Sequence, residues 1–197
     1  MPYTAPRRLL VQSIRCFVST LALLWLAAPR LLAAPALALP SSSVESVFHI
    51  GKSENRNQVH YAVHVDDACR PVGAQPVFAY WRELERGPNA ISPLLERERP
   101  AYGIAQTRQT RPGPRDTTGG RVEVNLRAIP KRTLVIELFK AGATCGARAL
   151  VSIHKQPAVL TSVYVDMGAL FSVNYALVRG IRVADGQPVQ EKVLPGE

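Results

Sequence analysis

Short polar side chains occupy every second position of one stretch of this sequence. Ser53, Asn55 and Asn57 stand in GKSENRNQVHYAV, just before a run in which apolar and polar residues alternate. Hydroxyl and amide groups in such a stretch either bond to the backbone of their own turn or orient a neutral polar ligand. The residue types alone leave both interpretations open.

Three aromatic side chains are candidates for the walls of a site beside these polar groups. Tyr61 belongs to the same stretch, Trp81 lies in VFAYWRELE and Tyr102 lies in AYG. Such rings either pack in a core, which for Trp81 would be beneath a neighbouring helix, or form a stacking surface for a ligand. The residues predicted to form one ligand pocket are Ser53, Asn55, Asn57, Tyr61, Trp81 and Tyr102.

The sequence contains no motif of an enzyme active site or a metal site. GxSxG, HExxH, phosphate-binding and glycine-rich dinucleotide motifs are all missing. His60 and His64 stand in an alternating, strand-like run, where four residues span roughly 13 Å, so they cannot share one ion without strong distortion. We therefore predict no metal, no cofactor and no catalytic residue.

Alternation of period two predicts an all-β fold. In RVEVNLRAI, Val122, Val124 and Leu126 point to one face, while Arg121 and Glu123 point to the other. One apolar face and one wet face are typical of an antiparallel sheet. The predicted strands lie near 44–50, 58–66, 76–84, 102–108, 121–129, 133–140, 147–155, 158–167, 173–184 and 187–193.

These strands, about ten in number and joined by short connections, predict an antiparallel meander. Closing or nearly closing the meander into a barrel would remove its exposed edges, and a two-sheet sandwich is the alternative. One short helix is predicted near 92–99, with Ser92 as its N-cap and Pro93 at its first position. Asp185-Gly186 predicts a tight hairpin turn.

Two of the three cysteines are predicted to form a disulfide. Cys16 lies in an N-terminal apolar run, which leaves Cys69 and Cys145 in the rest of the chain. An oxidising destination and an even count favour their pairing. An up-and-down meander places both of them, with Gly168, at the rim opposite the loop at 51–57. Closing a loop of about 77 residues would stabilise the fold by about 4.5 kcal/mol on the chain-entropy model.

The first 38 residues have the composition of a secretory signal peptide. Three arginines and no acid precede the apolar run 16–28, and Ala36-Leu37-Ala38 closes the segment. The run is shorter than the ~20 residues that a membrane-spanning helix needs. We predict cleavage after Ala38 or Ala36, a single β domain over 39–197, and a location in the periplasm or outside the cell.

The charge balance is basic. The chain has 24 Lys and Arg against 15 Asp and Glu, and loss of the leader with its four arginines leaves a net charge of +5. The stretch 106–121 has no large apolar residue, so we predict a mobile loop there. Its residues Arg108, Arg111 and Arg115 are predicted to contact anionic envelope components. Export argues against nucleic acid as a partner.

Several stretches, taken in order, resemble one known family: FHIGKSENRNQVHYAV, PVFAYWRELERG, AYGI, ATCGARALVSI, LTSVYVDM and VNYALVRGIRVADGQPVQEK. They are similar to an exported bacterial family catalogued as domain of unknown function 4833, over residues 46–192. The most specific parts are the SxNxNxVxY motif, the YW pair and AYG. The resemblance implies export and one compact domain but no activity, and the basic stretch departs from the family pattern.

Together these features predict an exported cell-envelope domain that binds a small or extended ligand at one rim of its sheet without catalysing a reaction. The alternatives are an envelope enzyme acting on polysaccharide or peptidoglycan, and a structural or interaction protein. An open cavity would favour ligand binding, whereas acid and base groups converging in a cleft would favour an enzyme.

Overall fold

A computed structural model describes residues 43–110, 119–169 and 172–195. The strands are β1 (Ser43–Lys52), β2 (Gln58–His64), β3 (Val77–Arg82), β4 (Ile91–Pro93), β5 (Ile104–Thr110), β6 (Gly120–Leu126), β7 (Thr133–Ala141), β8 (Thr144–Ile153), β9 (Gln156–Met167), β10 (Val173–Arg182) and β11 (Pro188–Val193). A 3-10 turn over Glu96–Glu98 leads into α1 (Arg99–Tyr102). In this described part of the chain, no helix has the length and apolarity needed to cross a bilayer.

Strand β9 is the junction of the sheet. Its first half, 156–160, pairs antiparallel with β8, and its second half, 162–165, pairs parallel with β1 along the same edge. Its other edge pairs with β10, which in turn pairs with β11. Two arms therefore leave β9, one running β1–β2–β3–β4 and the other β8–β7–β6–β5.

The predicted barrel is wrong, because the two arms end at β4 and β5 without pairing with each other. The prediction of a purely antiparallel meander is also wrong, since β1 and β9 run parallel. As a result, the loop after β1 lies beside the end of β9: the Ser53 N–H donates to the Val165 carbonyl at 3.0 Å. Gly168 is therefore at the same rim as that loop. Alternation identifies strands and their apolar faces, but it does not say which distant strands pair.

The ten predicted strands are all present, and β4 is an addition. Ser92 and Pro93 belong to β4 and lie opposite Trp81 and Tyr80 of β3. The one short helix is confirmed, but it spans Arg99–Tyr102 and follows the 3-10 turn that begins after Leu95, so the predicted N-cap at Ser92 is wrong. A proline, which lacks an N–H, is tolerated in this short edge strand because the ladder needs no donor on its open side.

Two hairpin turns differ from expectation. At Asp185-Gly186 only the glycine has positive φ, at 70°, so the turn is wider than the predicted two-residue turn. The two-residue turn with both central φ positive joins β8 to β9, at His154 (52°) and Lys155 (62°). Neither residue is a usual turn former at that position, so no local signal marks it.

Both arms contribute to one hydrophobic core. Phe48 and Tyr61 of the first arm stack with ring centroids 4.5 Å apart. Val124 and Ile136 of the second arm, and Leu160 of β9, are almost fully buried. Burial of each such side chain contributes about 1.5–3 kcal/mol before entropy is counted. The core therefore joins the arms although their ends do not pair.

The predicted disulfide is confirmed and joins the two arms at one end. Cys69 and Cys145 are bonded with an S–S distance of 2.07 Å and a Cα–Cα distance of 5.4 Å. Lys140 Nζ, on the hairpin beside Cys145, donates to the Asp67 carbonyl at 2.9 Å. The cross-link thus connects the β2–β3 connection to the start of β8.

The N-terminal part of the predicted basic loop is a strand. Residues 106–110 belong to β5, and Arg108 makes a bidentate pair with Glu123 of β6 at 2.9 and 3.1 Å. Cross-strand pairing of polar side chains explains how this stretch forms a strand without large apolar residues. Arg111 and Arg115 lie outside the described residues.

Candidate functional site

The structure divides the six predicted pocket residues between two places. Asn55 and Asn57 border a groove on the outer face of β1, β9 and β10. Tyr61, Trp81 and Tyr102 come together on the inner side, beside the short helix. Ser53 lies between the two and holds the loop against β9.

The groove on the outer face, called the donor groove below, has a volume of about 350 Å³. The lining residues used below are Gly51, Asn55, Arg56, Asn57, Gln58, Tyr164 and Arg179. This size lies within the range of roughly 300–1,000 Å³ typical of small-molecule sites. Two distant parts of the chain form the walls, because the parallel pairing of β1 with β9 brings them side by side.

Gly51 forms the floor of the donor groove. It lies opposite Gln58 in the β1–β2 pair and opposite Tyr164 in the β1–β9 pair. A Cβ added at Gly51 would meet no atom within 4 Å. The missing side chain therefore leaves an open space between an amide and an aromatic ring, and glycine inside a strand often marks the close approach of a ligand.

Hydrogen bonds hold the loop that forms one wall. Ser53 Oγ accepts the N–H of Met167 at 2.9 Å. Asn55 Oδ1 accepts the N–H of Asn57 at 3.1 Å, and Asn57 Oδ1 accepts the N–H of Glu85 at 3.2 Å. The side-chain oxygens of this motif thus stabilise the loop, as one of the two interpretations of the sequence requires.

The amide nitrogens of the same residues remain as hydrogen-bond donors at the donor groove. Within the described residues, neither Asn55 Nδ2 nor Asn57 Nδ2 has an acceptor, although each carries two N–H groups. Locking the oxygens fixes the direction of these nitrogens without using them. The two interpretations of the motif are therefore compatible, since the oxygens stabilise the turn while the nitrogens are free for a ligand.

The charge of the donor groove is positive. The described residues that line it include no aspartate or glutamate. Lys52 is paired with Glu54 at 3.0 Å, whereas the guanidinium groups of Arg56 and Arg179 have no carboxylate partner in the described part of the chain. The backbone N–H of Arg56 donates to Glu85 Oε1 at 3.4 Å. The Arg179 guanidinium lies 5.7 Å from the centre of the Tyr164 ring, an attractive cation–π contact.

A histidine pair lies next to the donor groove. His49 lines the groove and stacks on His60 with ring centroids 5.3 Å apart. His60 is held by Ser46 Oγ at 2.6 Å on Nδ1 and by Gln58 Oε1 at 2.9 Å on Nε2. Burial lowers the pKa of His60 to about 4, helped by the charges of His49 and Arg82. His60 is therefore neutral at neutral pH and positions Gln58 without adding charge.

The inner aromatic residues are packed and bonded. The Tyr61 hydroxyl, fully buried, donates to the Tyr102 carbonyl at 2.6 Å, and burial raises the pKa of Tyr61. The Trp81 indole donates to Glu98 Oε2 at 2.8 Å and meets the Tyr102 ring edge-on at 5.4 Å. Trp81 is only 9% exposed. It packs beneath the helix, which is the core interpretation of this ring.

Lys52 connects the two places. Lys52 is one of the residues that line the donor groove, and its Nζ lies 5.4 Å from the centre of the Trp81 ring on the inner side. No three His, Cys, Asp or Glu side chains within the described ranges converge to hold a metal ion. The arrangement is suited to binding a ligand through donors and cations.

Three groove residues could not be predicted as site residues from the sequence. Gly51 carries the one local signal, a glycine directly before the polar motif. Tyr164 and Arg179 lie on half-exposed or exposed positions of alternating strands, which is the pattern of any solvent face. Only the β1–β9 pairing brings them to the loop, and that pairing has no local signature.

A mixed β-sheet with a cationic groove beside the SxNxNxVxY loop is the class of structure that these residues define. The chain belongs to the family described as "Domain of unknown function (DUF4833)", whose model matches residues 48–192. That range contains the loop, the inner aromatic residues and every residue that lines the donor groove. No curated protein and no solved structure matches the chain.

Proposed function

We propose that this protein is an exported binding protein of the cell envelope that holds an oxygen-rich, anionic ligand in the donor groove. The proposal is supported by the donors around the groove, which are the amide nitrogens of Asn55 and Asn57, the Arg56 guanidinium and the terminal nitrogens of Arg179, with no carboxylate in the lining. Arg179 Nε already donates to Gln190 Oε1 at 2.9 Å, which holds this guanidinium in place. A ligand that satisfies these donors must supply several acceptors and negative charge.

An acidic saccharide has this chemistry. Its hydroxyl and ring oxygens accept from amides, and its carboxylates match the planar fork of an arginine. The half-buried Tyr164 ring beside Gly51 supplies a flat apolar surface for a sugar face. An open groove, in contrast to an enclosed pocket, also accommodates an extended polymer.

The location in the envelope rests on the disulfide and the leader. A disulfide such as Cys69–Cys145 is stable in oxidising compartments and rare in the cytosol of mesophiles. The predicted signal peptide over 1–38 lies outside the described residues. Its composition and the disulfide together support the periplasm or the outside of the cell as the destination.

The lining of the donor groove favours binding over hydrolysis. Glycoside hydrolysis requires two carboxyl groups, one as acid and one as base or nucleophile, on the two sides of the bond. The groove offers cations and amides in their place. The proposed activity is therefore recognition without chemical change.

Native mass spectrometry of the protein purified from its own source tests the proposal. We expect an added mass on the wild-type protein, and Gly51→Leu should lose it because the leucine side chain would occupy the open floor, where an added Cβ meets no atom within 4 Å. Ala105→Leu, which introduces the same leucine side chain on the exposed part of β5, is the matched control and should keep it.

A defined probe completes the test. Calorimetric titration with an oligogalacturonate should show binding that weakens at least tenfold when the carboxylates are methyl-esterified, and that also weakens as salt rises. Absence of both an adduct and acidic-saccharide binding would overturn the proposal. So would equal binding by Gly51→Leu and the control.

A further inference from the structure

A second cavity, of about 310 Å³, lies where the free ends of the two arms approach each other. Its floor is apolar, formed by Val77, Ala79, Leu94 and Ile104, and two arginines, Arg99 and Arg127, also line it. We call it the seam pocket. It shares no lining residue with the donor groove.

Backbone groups of β3 face the seam pocket without a strand partner. Strand β4 pairs only with residues 80–82 of β3, which leaves residues 77–79 open on that side. The His64 N–H donates to the Pro76 carbonyl at 2.8 Å. Because hydrogen-bonded positions alternate along an antiparallel pair, the N–H and C=O of Val77 and Ala79 point away from β2 and toward the seam.

The opposite side of the seam is also an unpaired edge. Strand β5 pairs with β6 alone within the described residues. An open strand edge next to an apolar floor is the arrangement by which many domains bind an extended peptide as an added strand.

The charges at the mouth define which part of a peptide fits. Arg127 is exposed and has no carboxylate partner in the described chain. Arg99 pairs with Glu96 at 3.1 Å, but both side chains are exposed, at 59% and 84%, so this pair costs little to exchange. A ligand that fits these features has a carboxylate for the two arginines and, next to it, an apolar group for the floor.

We infer that the seam pocket binds the carboxyl-terminal end of an extended peptide. The terminal carboxylate lies between Arg99 and Arg127, and the last apolar side chain rests on Val77 and Ile104. The peptide backbone pairs with the open edge of β3 at Ala79. A fatty acid would use the floor and the cations but would leave the backbone edge unused. If the carboxylate came from an acidic side chain within a peptide, no apolar group would rest on the floor.

Fluorescence anisotropy with a fluorescein-labelled hexapeptide of alternating threonine and valine, ending in valine with a free carboxylate, tests the inference. We expect saturable binding to the purified protein. Amidation of the carboxyl end should weaken binding at least tenfold, and so should methylation of the last two backbone nitrogens. These changes are made on the probe, so they cannot unfold the protein.

Variants of the protein give a second, independent measurement. Arg127→Gln should weaken peptide binding at least tenfold and leave oligogalacturonate binding unchanged. Arg86→Gln, a matched exposed arginine paired with Glu83 and outside the seam pocket, should change neither. No binding of the free peptide, equal binding of its amide, or equal binding by Arg127→Gln would overturn the inference. Displacement by decanoate with no effect of backbone methylation would also overturn it, since it would assign the pocket to acyl carboxylates.

Discussion

The indole N–H of Trp81 donates to the carboxylate of Glu98 at 2.8 Å, and this bond ties β3 to the short helix. The same oxygen accepts the backbone N–H of Leu95 at 2.9 Å. One carboxylate therefore serves two donors at the edge of the core, one of them on a ring that is almost fully buried.

Replacing Glu98 should destabilise the fold more than its surface position suggests. Glu98→Ala leaves the indole N–H and the Leu95 N–H without their acceptor, which costs about 1–3 kcal/mol in the free energy of unfolding. Urea denaturation measures this loss. Glu96→Ala is the control, because its exposed pair with Arg99 contributes under about 0.5 kcal/mol. Equal losses in the two variants would show that the Glu98 bonds contribute nothing specific.

The stability of the protein should fall in mild acid because of His60. The pKa of His60 is about 4 in the folded protein, against 6.5 for an unperturbed histidine. The unfolded chain therefore takes up a proton near pH 6.5, while the folded protein does so only near pH 4. The free energy of unfolding decreases by about 1–3 kcal/mol as the pH falls through this window and then levels off.

Thermal or urea denaturation at a series of pH values tests this dependence. His60→Gln should flatten the slope between pH 6.5 and 4, because glutamine does not titrate. His64→Gln, on the same face of β2 but stacked on Phe78 at 4.3 Å, is the control. A slope unchanged in His60→Gln would refute the assignment.

Thiol titration of the denatured, unreduced protein tests the disulfide and the leader together. We expect no free thiol, because Cys69 and Cys145 are bonded and Cys16 lies in the predicted signal peptide, whose cleavage would remove it. One free thiol would mean that the leader is retained. Three would contradict the disulfide as well. Reduction should lower stability by about 2–4 kcal/mol, since a long loop is released.

Local patterns in the sequence predict the strands and the disulfide well. Alternation such as Val122, Val124 and Leu126 against Arg121 and Glu123 requires one face of β6 to be buried, and the structure buries that face. The cysteine pairing follows from their number and the predicted compartment. These properties depend on short stretches or on counting, so they need no knowledge of distant contacts.

The topology and most of the donor groove depend on long-range pairing, which alternation does not encode. The parallel contact of β1 with β9 brings Gly51 beside Tyr164, two residues far apart in the chain. If the strands are assumed to form a meander, the end of β9 is predicted at the rim opposite the β1–β2 loop, whereas it lies at the same rim. For the same reason, the predicted single pocket combined three polar residues of the β1–β2 loop with three rings that pack on the inner side of the sheet.

The ion pair between Glu191 and Arg132 should contribute stability that acid removes. Arg132 donates to both carboxylate oxygens at 2.8 and 2.9 Å, and the His154 N–H donates at 3.0 Å. The hydrogen bonds from Arg132, and then that from the His154 backbone, lower the pKa of Glu191 from 4.5 to about 2. A carboxylate with a lowered pKa stabilises the fold fully above pH 4.5 and loses that effect as the pH falls toward 2.

Glu191→Gln should therefore cost about 1–2 kcal/mol at pH 7, and the difference from the wild type should shrink between pH 4.5 and 2. Urea denaturation across this range measures both effects. The matched control is Glu123→Gln, whose partner Arg108 is 70% exposed, so that water screens its bidentate pair and its loss costs less stability. Arg132 and Glu191 are each less than a quarter exposed, which limits screening by water. A constant difference between Glu191→Gln and the wild type down to pH 2 would show that the charge of Glu191 does not stabilise the junction of β11 with the β6–β7 and β8–β9 turns.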